Sequence, residues 1–62
     1  MNKIIKILME RDGISREEAK ELYLDCKIEM ESAIDEGRYS EAEDILADYL
    51  GLEIDYAIYI LF

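Results

Sequence analysis

Apolar residues recur along the chain at steps of three and four, the spacing that lines one side of an α-helix. The longest such run covers residues 15–36. At about 100° per residue, Ala19, Leu22, Tyr23, Cys26, Met30, Ala33 and Ile34 fall in one stripe about 120° wide, which predicts a core-facing side. Ala42, Ile45, Leu46, Tyr49 and Leu50 repeat the pattern, with Glu41, Asp44 and Asp48 on the other side. Ile4, Ile5, Ile7 and Leu8 mark a first amphipathic helix that turns Lys3, Lys6 and Arg11 to water. In the last segment Tyr, Ile and Phe favour strands, yet a lone strand would have no partner here and would leave an open edge. A short helix laying Ile58, Leu61 and Phe62 on the bundle is therefore expected.

Start and stop signals sharpen these elements. The three glycines, at 13, 37 and 51, each follow an apolar-periodic segment, where a left-handed residue closes a helix. Ser15 with Glu18 and Ser40 with Glu43 fit the S-x-x-E capping box, and Ile14 with Ala19 fits a hydrophobic staple. Asn2 and Asp55 are the expected caps of the first and last helices. The pattern predicts an all-α protein, a single domain over residues 1–62 built as a compact bundle of three to four short helices at about 2–11, 15–36, 40–50 and 55–61.

A bundle this small has little stability to spare. Sixty-two residues bury only about 60% of the unfolded surface, and one such core rarely supplies more than about 3–5 kcal/mol. Disulfides, metals and self-association are the usual supports. With one cysteine and no histidine, self-association is the one that remains, so a homo-oligomer is expected. Sixteen acidic against seven basic residues give a net charge of −9, which repels phosphate backbones and anionic membranes. Direct nucleic-acid binding is not expected. The longest apolar run, Tyr56 to Phe62, is far short of the roughly 20 residues that cross a bilayer. No secretory signal pattern is visible, and the expected location is cytoplasmic.

Candidate chemistry is sparse. Cys26 lies inside the apolar stripe with no histidine to act as its base, so it reads as a small core residue. Glu41, Asp44 and Asp48 share a face but lack the glycine-turned loop of a calcium site, and a solvated acidic face is the plainer reading. No phosphate loop, metal-spaced ligand set or nucleophile–base pair occurs, so neither catalysis nor a cofactor is expected.

Leu24 and Ile28 depart from the bundle pattern. They sit about 140° and 180° round the second helix from the centre of its core stripe, one turn apart. Another segment of the chain, a second copy or a foreign protein is expected to shelter them. They stand beside Lys20, Glu31 and Asp35, an arrangement typical of interfaces. Tyr56, Tyr59 and Phe62 join them as candidate contact residues, because their terminal segment is too apolar to stand free.

Gly37-Arg38-Tyr39-Ser40-Glu41-Ala42, followed by Leu46, Leu50 and Leu52, resembles the middle of a tetratricopeptide-type helical hairpin over residues 33–55. That family stacks at least three hairpins and carries a proline after the second helix, and here Ile54 stands near that place. The resemblance implies a tight antiparallel turn at 37–40 with Tyr39 and Ala42 packed inward. The runs at 9–15 and 47–53 are similar in style to those of small acidic helical proteins of phages and prophages, which carry no site that transfers to these residues.

Two functions are consistent with the sequence. One is a small non-catalytic protein-interaction module, expected to self-associate through the back of the second helix and the C-terminal segment. The other is an acidic inhibitor that mimics nucleic acid in a basic groove of an enzyme, using carboxylates at 29, 31, 35, 36, 41, 43, 44 and 48.

Overall fold

A computed structural model describes residues 2–61; the expected packing and contact of Phe62 lie outside them. The order is α1 (Lys3–Asp12), α2 (Arg16–Asp35), α3 (Tyr39–Leu50), a 3-10 turn (Ile54–Ala57) and α4 (Ile58–Leu61), an all-α bundle with no strand among the described residues. Twenty residues make α2 about 30 Å long. It sets the long axis of a body measuring 34 × 18 × 17 Å, and α1, α3 and α4 all pack on it.

Local signals place most of the ends. Asn2 Oδ1 accepts the Ile4 N–H at 2.7 Å, and Ser15 Oγ accepts the Glu18 N–H at 3.1 Å, so both cap their helices. The turn between α2 and α3 is closed by a Schellman motif: Arg38 N–H reaches Ala33 O at 2.8 Å and Gly37 N–H reaches Ile34 O at 3.0 Å. That closure needs Gly37 at φ 77°, where a Cβ would be strained.

The core draws on every helix. Ile4 and Leu8, Cys26, Met30 and Ala33, Leu46 and Leu50, and Ile60 are buried, with Ala19 and Ala42 small enough to let helices approach closely. Ile7, Ile14, Tyr23, Ile34 and Ile45 pack round its edge. Among the described residues no polar or charged residue is buried.

Six expectations are corrected. Ser40 caps nothing: the Schellman closure brings α3 into register at Tyr39, with Arg38 at the N-cap, so Ser40 falls within the first helical turn. Tyr39 is 69% exposed rather than packed inward, although Ala42 is buried as expected. It stands at the hairpin end, and the next hairpin that would cover it in a stacked array has no counterpart among the described residues. Leu22 is exposed because antiparallel α3, at about 18 Å against about 30 Å for α2, runs out before reaching its level. Tyr49 leaves the core as well: the buried side of α3 centres on Leu46, between Ala42 and Leu50, which sets Tyr49 about 60° round the helix from its middle. In the last segment Asp55 is not the cap, because the helix opens one residue earlier as a 3-10 turn with Tyr56 N–H on Glu53 O at 3.0 Å. Three residues per turn shift the register, which buries Ile60 and leaves Ile58 exposed.

Candidate protein-interaction surface

The buried stripe of α2 faces α1 and α3, which obliges the opposite side to face outward. Leu24 is 41% exposed and Ile28 61% exposed, and no other segment of the described chain covers them. Lys20 and Glu31 flank the pair and are exposed, as is Asp35 one turn further on. Lys20, Glu31 and Asp35 form no ion pair among the described residues, whose salt bridges involve only Arg11 and Arg38. One turn beyond Ile28 the stripe runs into a shallow groove between α2 and α4, lined by Glu31, Ile34, Asp35 and Leu61.

The C-terminal candidates behave differently. Tyr56 is half-buried against the core and its ring lies 6.3 Å from that of Tyr59, tilted by 45°. Tyr59 is tied back to the start of the chain. Asn2 Nδ2 donates to its carbonyl at 3.3 Å, and Lys3 Nζ sits 4.8 Å from its ring centroid, a cation–π contact. The predicted contact residues thus divide into a pair on the outward side of α2, Leu24 and Ile28, and an aromatic pair that contacts the rest of the chain, of which Tyr59 stays 38% exposed.

The charged and sulfur groups have local roles. Arg38 bridges Glu36 at 2.7 Å and Glu41, which raises the guanidinium pKa and lowers that of Glu36. Arg11 holds Asp12 at 2.9 Å and lowers its pKa in the same way. These pairs brace a helix end and a turn. Asp44 and Asp48 are exposed beside Glu41, and among the described residues no three acidic or cysteine side chains group as a metal ion would require. Cys26 is buried with its Sγ 3.6 Å from Met30 Sδ, and burial pushes the thiol up to about 11, so the thiolate is scarce at neutral pH.

Sequence reasoning missed the Arg38 bridge and the groove at Leu61. The first had a signal in the i, i+3 spacing of Arg38 and Glu41. The second had none, because it depends on how α4 returns across α2. No helix among the described residues is long and apolar enough to cross a membrane. No protein-family model, curated protein or solved structure matches the chain.

Proposed function

We propose that the protein is a non-catalytic interaction module that presents the outward face of α2 to another protein. The exposure of Leu24 and Ile28 on a helix whose opposite side packs against α1, α3 and α4 carries this reading. Fully burying a leucine or isoleucine yields about 1.5–3 kcal/mol, so completing the burial of two half-exposed side chains yields about 1.5–3 kcal/mol per copy. Association costs at least about 4 kcal/mol of lost freedom. The apolar pair alone gives a weak contact, and polar groups around it must contribute register and selectivity.

The test is a double substitution, Leu24→Glu with Ile28→Glu, which leaves the core untouched. The variant keeps its helical circular dichroism and thermal midpoint at low concentration, while self-association and covalent cross-linking to neighbours in native extracts are lost. Undiminished association of the variant would reject the surface.

A second reading, occupation of a basic groove by the acidic side, is favoured by a different observation. Glu29, Glu31, Asp35, Glu43, Asp44 and Asp48 are all exposed, and none forms an ion pair among the described residues. Such binding weakens steeply with salt, because exposed charges are screened beyond about 8–10 Å. Leu24→Glu would leave it intact, which separates the two readings.

A further inference from the structure

We infer that residues 54–61 form a strap that opens as a unit ahead of the rest of the bundle, and that Asn2 is the latch holding it closed, through a side-chain amide that caps α1 at one end and grips Tyr59 at the other. The device is independent of the outward face of α2.

The strap has little of its own to keep it folded. It consists of a four-residue 3-10 turn followed by the four residues of α4, whereas isolated helices shorter than about 12–15 residues are marginal in water. It is therefore helical only while docked, so its folding and its docking are one event. Ile60 is its one buried side chain, against three in α1 and three in α3. Tyr56, Ala57 and Leu61 are half-buried, and Ile54, Asp55, Ile58 and Tyr59 are exposed. A segment with so few buried side chains lies at the low end of the local stabilities in a domain. Its boundary is also defined. Gly51 ends α3 with its N–H on Ala47 O at 2.8 Å, and Leu52 is buried, which anchors the chain up to that point. Glu53 is exposed and extended, at φ −77° and ψ 160°, and serves as the hinge.

The latch joins the two ends of the fold through one side chain. Asn2 Oδ1 accepts the Ile4 N–H at 2.7 Å while Asn2 Nδ2 donates to the Tyr59 carbonyl at 3.3 Å. Turning the amide over would set N–H against N–H at Ile4 and oxygen against oxygen at Tyr59, so the two bonds fix each other's sense. Tyr59 lies in the last turn of α4, where carbonyls have no partner within the helix, and Asn2 supplies the missing donor. The amide is already held by its cap, so gripping Tyr59 costs little further side-chain entropy. Lys3 supports the latch from the next position, with Nζ 4.8 Å from the Tyr59 ring centroid. Opening breaks both ties. It adds Ile60 to the exposed Ile54 and Ile58 and uncovers the parts of α1 and α2 on which α4 rests.

The experiment is native-state amide hydrogen exchange of the full chain, followed by nitrogen-15 NMR at low urea concentrations, in wild type, Asn2→Asp and Asn2→Ser. Aspartate and serine cap a helix as well as asparagine does but have no amide N–H to offer Tyr59, so the grip is removed and the cap of α1 is kept. The Tyr56 amide, bonded to Glu53 O at 3.0 Å, and the Ile60 amide report the strap; those of Met30 and Leu46 report the body. In wild type the strap amides are expected to exchange at least about tenfold faster than the body amides, and to respond weakly to urea because little surface is exposed when the strap opens. Both substitutions should accelerate the strap amides about threefold without urea, the effect of one exposed hydrogen bond, and leave their weak urea dependence unchanged. Strap and body amides sharing one rate and one urea dependence would overturn the separate opening. Strap amides that exchange fast but are unmoved by either substitution would overturn the role of Asn2.

Discussion

Replacing Leu46 with alanine and, separately, Ile28 with alanine contrasts the two sides of the bundle. Leu46 is fully buried in the α2–α3 hairpin, and a leucine-to-alanine change in such a site costs about 2–5 kcal/mol through lost transfer energy and the cavity left behind. Ile28 is 61% exposed, so at low concentration its truncation stays within about 0.5 kcal/mol. A core of this size supplies only about 3–5 kcal/mol in total, which leaves the Leu46 variant near its folding midpoint at room temperature. Each kcal/mol moves the melting temperature of a domain this small by about 4–8 °C. Thermal unfolding followed by circular dichroism at about 10 μM, where a weak dimer is dissociated, should show a drop of about 12–24 °C for a Leu46 loss of about 3 kcal/mol, and under about 4 °C for Ile28. Equal losses for the two variants would refute the division of α2 into an engaged and an outward face, because they would mean that Ile28 is packed within its own chain.

The remaining predictions concern caps, the thiol and the hairpin turn. Ser15→Ala removes an observed cap and should cost about 1 kcal/mol, whereas Ser40→Ala should stay within about 0.5 kcal/mol; urea midpoints decide, and the reverse order would contradict the register of α3. Cys26 should react with iodoacetamide at about pH 8 only as fast as the domain opens, and denaturant should accelerate it, while alkylation at the rate of a free thiol would place it outside the core. Because its folded pKa lies above the ordinary 9.0, its contribution to stability is complete below that value and is lost as pH rises toward about 11; urea midpoints from about pH 8 to about pH 11 in wild type and Cys26→Ala follow that loss. Gly37→Ala forces a Cβ into left-handed backbone at φ 77° and should destabilise the fold by about 1–2 kcal/mol in urea titrations, and an unchanged midpoint would reject the Schellman closure.

The helices were legible in the sequence because two independent signals agreed. The three-and-four spacing located the segments, and the glycines with Asn2 and Ser15 located their ends. Ser40 misled because a capping box is a local pattern, while the start of α3 is set by how α2 stops: Gly37 and Arg38 bond back to Ile34 and Ala33. Leu22 misled for a similar reason, since its exposure follows from the unequal lengths of α2 and α3 and no wheel projection contains that. The last segment was too short to distinguish a three-residue turn from an α-helical one, so its buried side fell on Ile60 instead of Ile58. At the candidate surface, Leu24 and Ile28 were legible because their displacement from the stripe is a property of one helix. Tyr59 was not, because the contacts that engage it come from Asn2 and Lys3, at the far end of the chain.

Nitrogen-15 heteronuclear spectra recorded on a dilution series from about 1 mM to about 20 μM bear on the outward face most directly. Concentration-dependent amide shifts are expected, confined to α2 near Lys20, Leu24, Ile28 and Glu31. Spectra that superimpose throughout, or shifts confined to α3 or to Ile54–Leu61, would contradict an associating α2 face.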